Sequence, residues 1–366
     1  ESKAADCAPA AIGNGPVAIL GAGAVGSYVG ARLAAAGIDV LLLDGWPEHV
    51  EAIRRDGLTI AAPEGEQVVR CQCAHLGEAF RLRDAPVAAA ILAVKLYDTE
   101  WAANLLRTWL PPATPVVTMQ NALIEELVAR TVGWARTLGA IASGMDVALV
   151  APARVKRSRA LRSTAGPVFR VGELHGRRSA RAGAIAELLD RVDRAEVTTD
   201  LWNLRWAKLC ANTMSTGLSG LTGLSLREVY TRDDTRAIAV TLAAEALALG
   251  QVLGFEPPAL FGLAPQSWLQ AAAGDAAANA RARDALAAHA ATMSDGGPSG
   301  TLQDLQRGRP TEVDFFNGYI AREAERAGTA APTHARIAAL IRDVERGRRA
   351  IGPAALAEIR GALAPG

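Results

Sequence analysis

The sequence predicts two domains of different class, an α/β domain built on a parallel sheet followed by an all-helical domain. Three observations carry this. The apolar run VAIL at 17–20 feeds straight into a glycine-rich turn and a helix-patterned stretch. Strand-like and helix-like segments then alternate, the signature of βαβ units. From about Asp200 the strand pattern stops and helical composition runs to the C-terminus. At 366 residues, half of them apolar, the chain is long enough for two separate cores. The expected boundaries are residues 1–15 as a loose leader, 16–199 as the α/β domain and 200–366 as the helical domain.

Taken in order, PVAIL is a strand bounded by Pro16 and Gly21, SYVGARLAAAG continues a helix, and IDVLLLD is the second strand of a parallel pair. VAAAILAV, ending at Val94, and TPVVTM, ending at Met119, extend the sheet, with the helical segment DTEWAANLLRTWL between them. Beyond Leu138, IASGMDVALVAP and PVFRVGEL read as strands added antiparallel at a sheet edge. Between them lies a basic stretch with Arg154, Lys156, Arg157, Arg159 and Arg162. A charged hairpin at an edge discourages strand addition, and that reading is preferred to phosphate binding. LWNLRWAKLCANTMS, TRAIAVTLAAEALALGQVL, DAAANARARDALAAHAATM and the tail from Val313 are helical, Gly296, Gly297 and Pro298 form a loop, and no solenoid repeat is present.

Lysine plus arginine (39) balance aspartate plus glutamate (38), so no net field recommends nucleic acid or an anionic membrane as partner. No apolar run reads as long enough to span a bilayer, because Arg, Asp, Glu or Gly interrupts each alanine-rich stretch. Residues 1–15 lack the basic start and apolar stretch of a signal peptide. Cys7, Cys71, Cys73 and Cys210 are too few for a disulfide framework, which favours a reducing cytoplasm. RCQCAH places Cys71 and Cys73 near His75, but period-two spacing on a short strand explains them better than zinc, and no metal site is expected.

Gly21-Ala22-Gly23-Ala24-Val25-Gly26 follows a strand and opens a helix, the context in which glycines let backbone amides approach a pyrophosphate. Asp44 ends the next strand, at the spacing where an acid meets the adenosine ribose. A carboxylate there accepts hydrogen bonds from a ribose 2′-hydroxyl and repels a 2′-phosphate, so NAD(H) is expected over NADP(H). Further on, Lys208, Asn212 and Thr216 fall at successive i, i+4 positions on one helical face, with Trp202, Trp206 and Leu209 left for packing. Such a face suits a small-molecule cleft better than bulk solvent. Glu312 follows a Gly-Arg-Pro turn and is expected to enter a helix capped by Thr311. Stabilisation of that helix start and a role in the cleft are both open to it.

The set GAGAVG at 21–26, VKLYDTE at 94–100, MQNALIEE at 119–126, WAKLCAN at 206–212 and LQDLQRGRPTEVD at 302–314 resembles the ketopantoate reductase family, in order and across nearly the whole chain. The resemblance implies a Rossmann-type N-terminal domain, an all-α C-terminal domain and an active site in the cleft between them. It implies Lys208 as catalytic acid, Glu312 as the cleft glutamate and Asn212 as a substrate-binding amide. Lys95 and Asn121 match residues beside the cofactor, and Ser299 the serine that reaches the substrate. The family reduces a 2-oxo acid to its 2-hydroxy acid with NADPH. Hydride reaches the carbonyl carbon while an ammonium such as Lys208 protonates the developing alkoxide.

The chain departs from that pattern at Asp44, where a basic residue is usual nearby, at Ala122 in place of a glycine, at Thr216 in place of a second amide, and in PSGTLQD, one residue longer beside Ser299. Two other readings keep the cofactor site. An imine- or opine-type reductase would alter the polar residues of the cleft, and a non-catalytic NAD(H) sensor would need neither Lys208 nor Glu312. A nucleic-acid binder using residues 154–162 is disfavoured by the balanced charge. The apolar helix at 235–253 suits either a core or a homodimer interface.

Overall fold

The computed structural model describes residues 13–83, 85–293 and 297–361. Cys7, most of the leader and Gly296 lie outside the described residues. The chain divides into two compact units, Glu1–Leu201 and Trp202–Gly366.

Among its described residues the first unit holds twelve strands: β1 (Val17–Leu20), β2 (Val40–Asp44), β3 (Leu58–Ala62), β4 (Gly65–Val69), β5 (Gln72–His75), β6 (Ala89–Leu92), β7 (Val116–Thr118), β8 (Thr137–Ala142), β9 (Val147–Ala151), β10 (Arg154–Arg157), β11 (Phe169–Glu173) and β12 (Ala195–Thr198). Eight form one sheet in the order β12-β11-β8-β7-β6-β1-β2-β5. β1 pairs in parallel with β2 (Val17 opposite Val40) and with β6 (Val17 opposite Ala89). Every residue of β1 and β6 is buried, as expected of strands covered on both faces. β11 runs antiparallel to β8, as its sequence position suggests. Cys73 is buried on β5, where the period-two reading places it.

The other four strands form a second sheet, β4-β3-β10-β9, against the helix Ala24–Ala35. This sheet corrects two expectations. IASGMDVALVAP is not one strand: Gly144 (φ 72°) and Asp146 (φ 47°) turn the chain, so β8 stays in the main sheet and β9 leaves it. The basic segment is not an edge either, because β10 lies between β3 and β9. Arg157 is accordingly buried, ion-paired to Asp193 at 2.5 Å, while Arg154, Arg159 and Arg162 pair with Glu66, Asp146 and Asp190. The missed partner of β10 is the β3–β4 hairpin, whose Pro63-Glu64-Gly65 turn, with Gly65 at φ 127°, carries a readable signal.

The second unit is helical, with ten α-helices among the described residues. Its longest, Asp233–Val252, packs against Leu226–Thr231, Pro265–Ala272, Ala276–Ala291 and Pro332–Glu345. Contrary to the sequence reading, this helix is long and apolar enough to cross a membrane by length and composition, and 61% of its most apolar window is buried in the folded chain. Gly250 lets the indole of Trp206 lie directly on it, since a Cβ there would sit 2.4 Å from Nε1. Trp206 is fully buried, donates to the Ala246 carbonyl at 3.2 Å and stacks on Phe255 with ring centroids 4.4 Å apart. The helix Leu201–Thr213, which carries Lys208, is thereby fastened to the longest helix of its unit.

Candidate active site

In the first unit, the expected cofactor residues collect at the carboxyl ends of parallel strands. The glycine loop follows β1, Asp44 ends β2, Lys95 follows β6 and Asn121 follows β7. β1 is the switch point: the chain moves from it to β2 on one side and takes up β6 on the other. Open α/β sheets bind ligands at such crevices. Here the two loops touch. Gly21 has φ 98°, and a Cβ on it would lie 2.6 Å from the Val94 amide nitrogen, so that position demands glycine. Gly26 is needed for contact, since its Cβ would fall 1.9 Å from the Gly21 carbonyl oxygen. At Gly23 a Cβ would meet nothing within 4 Å. Gly23 is also the N-cap of the helix Ala24–Ala35, whose first turn has neither a side-chain cap nor an acidic residue. Amides so placed fit a pyrophosphate.

Asp44 is held rigidly. Its Oδ2 accepts from the Ala22 amide at 2.7 Å and its Oδ1 from the Trp46 amide at 2.9 Å. The Ala22 carbonyl, in turn, accepts from Ser27 Oγ at 2.6 Å, and Ser27 Oγ lies 3.2 Å from His49 Nε2. His49 Nδ1 accepts from the Ala153 amide at 3.0 Å, so the proton sits on Nε2. Burial holds the His49 pKa below its ordinary value, against the opposing pull of Asp44. Ser27 and His49 are thus supports of the loop that the sequence reading missed. His49 was legible only as a histidine on an apolar helix face, a pattern that usually marks packing.

The loop after β7 is tied at both ends: Gln120 Nε2 donates to Thr99 Oγ1 at 2.7 Å, and the buried Glu125 accepts from Thr118 Oγ1 at 2.8 Å and from the Ile124 amide at 3.2 Å. Half-buried Asn121 sits in that loop beside Ala122, whose φ is 60°. Lys95, also half-buried, precedes the single 3-10 turn Leu96–Asp98. Among the described residues no cluster of three or more His, Cys, Asp or Glu side chains could hold a metal. Burial raises the thiol pKa of Cys71 to about 11 and of Cys73 to about 12.

In the second unit, Lys208 and Asn212 lie on one helix, Leu201–Thr213, at the predicted i, i+4 spacing, and both are half-buried. Thr216 is not on that helix. The chain turns at Met214–Ser215 and Thr216 starts a new helix, Thr216–Thr222, though its hydroxyl still donates to the Asn212 carbonyl at 2.9 Å. Ser299 is almost fully buried: its hydroxyl caps the helix Gly300–Gln306 through the Leu302 amide at 3.0 Å and reaches the Thr216 carbonyl at 3.3 Å. Glu312 enters a 3-10 turn, Val313–Phe315, rather than an α-helix. Thr311 accepts from the Val313 amide at 3.3 Å as a cap would, and donates to Glu345 at 2.6 Å.

Comparison with known proteins settles the lineage. Residues 17–168 match the family model "Ketopantoate reductase PanE/ApbA", and residues 200–345 match its C-terminal counterpart. The chain belongs to the ketopantoate reductase family. A 2-dehydropantoate 2-reductase of Mesorhizobium japonicum is 29% identical over 356 residues, covering 90% of this chain and 98% of that protein. A ketopantoate reductase family structure from Ralstonia eutropha superimposes with TM-score 0.74 at 24% identity, covering 91% of this chain and 99% of the other. The ternary structure of D-mandelate dehydrogenase with NADH and anilino(oxo)acetate superimposes with TM-score 0.75 at 21% identity, with the same coverage. As a ketopantoate reductase family member the protein is an oxidoreductase that uses a nicotinamide dinucleotide. Ala122, at φ 60°, takes a conformation that favours glycine.

Proposed function

We propose that the protein reduces a 2-oxo acid, or a closely related carbonyl compound, with NADH, using Lys208 as general acid. The carrying observation is Asp44, a carboxylate fixed by two backbone amides at the end of β2. At that place a carboxylate favours a ribose 2′-hydroxyl and opposes a 2′-phosphate. Glu48, exposed in the first turn of the next helix, adds a second negative charge nearby in sequence. A D-mandelate dehydrogenase of the same fold binds NADH, a precedent for this choice on this scaffold.

A bound nicotinamide supplies the hydride at C4. The residues do the rest. The amides of the Ala24–Ala35 helix start would hold the pyrophosphate, and Lys95 and Asn121 would border the cofactor. Lys208 donates the proton to the carbonyl oxygen as negative charge develops there, and its ammonium stabilises that charge before transfer. Glu312 holds the ammonium or a substrate hydroxyl, while Asn212 and Asn121 orient the substrate without adding charge. Thr216 and Ser299, whose hydroxyls are engaged with the Asn212 carbonyl and with the Leu302 amide and Thr216 carbonyl, support the segment that follows Asn212 rather than offering those groups to the substrate. The free thiols of Cys71, Cys73 and Cys210 suit a reducing compartment such as the cytoplasm.

Titration with NADH and NADPH, followed by a panel of 2-oxo acids including ketopantoate and aromatic members, tests the reading. NADH binds about tenfold or more tightly than NADPH, and Asp44→Arg reverses the order. Preference of the unchanged protein for NADPH refutes the Asp44 argument. Tight NADH binding without turnover of any 2-oxo acid refutes the substrate class alone.

A further inference from the structure

We infer that Asn317 is a positioning residue for the reaction, fixing the end of the Lys208 helix against the segment that begins at Glu312. The inference rests on the reading of Lys208 as proton donor and Glu312 as its acidic neighbour.

A helix leaves its last four carbonyls without intrahelical donors. In Leu201–Thr213 each one is taken. Cys210 accepts from the Met214 amide at 3.2 Å and Thr213 Oγ1 at 2.9 Å, and Asn212 from the Ser215 amide at 3.3 Å and Thr216 Oγ1 at 2.9 Å. These donors are local. The other two are distant in sequence: Tyr230 Oη donates to Ala211 at 3.2 Å, and Asn317 Nδ2 donates to Thr213 at 3.2 Å.

Asn317 is nearly fully buried and its amide is gripped from the other side. Nδ2 also lies 3.1 Å from His334 Nδ1, and His334 Nε2 lies 2.9 Å from the Leu242 carbonyl. A carbonyl only accepts, so Nδ2 must face Thr213, His334 Nδ1 must accept, and Nε2–H must donate to Leu242. Glu245 closes the network through Thr333 and the His334 amide. The carbonyl oxygen of Asn317 is buried without a partner, against Gly217, where a Cβ would lie 2.9 Å from it. Space-filling alone would not justify that desolvation cost, so the donor side is what the position requires.

The placement explains why. Asn317 opens the helix Asn317–Arg326 directly after the turn in which the Phe315 amide donates to the Glu312 carbonyl at 2.9 Å. Lys208 precedes Thr213 by the same number of residues as Glu312 precedes Asn317. One amide therefore sets the register between the two segments that carry the candidate acid and the candidate glutamate.

Asn317→Asp keeps the shape and removes both donors. With NADH and a 2-oxo acid that the protein turns over, kcat falls about 10- to 100-fold, the loss expected when a reacting group is misplaced by about 1 Å. NADH affinity stays within about twofold. The chain has four lysines, Lys3, Lys95, Lys156 and Lys208, so reductive methylation with 13C resolves the Lys208 signal, and its titration midpoint shifts in the variant. His334→Gln is the control: it keeps the Asn317–Thr213 bond, lowers the melting temperature and leaves kcat within about threefold. If Asn317→Asp does not fold, Asn317→Ser reads the same quantities. Unchanged kcat or an unmoved Lys208 signal overturns the inference, as does equal loss of activity in the His334 control. Full turnover by Lys208→Ala overturns the proton-donor reading instead.

Discussion

Replacing Arg157 with methionine removes one half of an ion pair whose two side chains are both fully buried. Arg157 Nη2 donates to Asp193 Oδ2 at 2.5 Å, Nη1 donates to Tyr28 Oη at 2.5 Å, and the guanidinium sits 5.3 Å from the Tyr28 ring centroid. Without the arginine, Asp193 retains the Arg162 amide at 3.2 Å and the Arg194 amide at 2.7 Å, but its charge stays buried. Breaking such a pair on one side costs about 3–5 kcal/mol, and the two surviving amide bonds put this case near the lower end, about 3 kcal/mol. In a unit of this size that lowers the melting temperature by roughly 6–12 °C. The double variant Arg157→Met/Asp193→Leu removes the stranded charge and recovers most of the loss. Urea unfolding followed by circular dichroism, run as a double-mutant cycle, measures both. A single-variant loss below about 1 kcal/mol, or a double variant as unstable as the sum of the singles, refutes the claim that a stranded charge is the cause.

Lys208→Ala lowers turnover by about two to four orders of magnitude with NADH affinity unchanged, because the amine acts on the transition state, and stopped-flow reduction assays read it. Ala122→Val, a β-branched residue forced to φ 60°, destabilises by more than about 2 kcal/mol in chemical denaturation, whereas Ala122→Gly is tolerated within about 1 kcal/mol. His334 is fully buried and its pKa is pushed down by burial to about 4. The unfolded chain therefore takes up the proton first, so the stability present above about pH 6.5 falls as pH drops toward 4, by about 2–3 kcal/mol. Urea midpoints between pH 7.5 and 4.5 show the slope, and His334→Gln flattens it.

The βαβ start, the Gly21–Gly26 loop and the helical takeover near residue 200 were legible because short-range rules govern them: strand, turn and helix follow one another within a few residues. The second sheet was not. β3 and β10 pair across ninety-odd residues, and nothing local to Arg157 announces that Asp193 and Tyr28 will enclose it. The same division runs through the candidate site. Lys208 and Asn212 share a face because helical period alone dictates it, while the break at Met214–Ser215 that removes Thr216 from that face carries no signal in that period. Asn317, Ser27 and His49 are ordinary residues whose meaning comes entirely from their partners.

The chain of contacts from the Ala153 amide through His49 and Ser27 to the Ala22 carbonyl has a consequence for modularity. Ala153 belongs to the β9–β10 turn, in the small sheet, and its amide is what keeps the proton on the far nitrogen of His49. A minimal nucleotide-binding module cut from this chain without that hairpin would lose the donor, free the imidazole to switch tautomer, and slacken the loop from beneath. The small sheet therefore braces the glycine loop from beneath, through one backbone amide and two side chains.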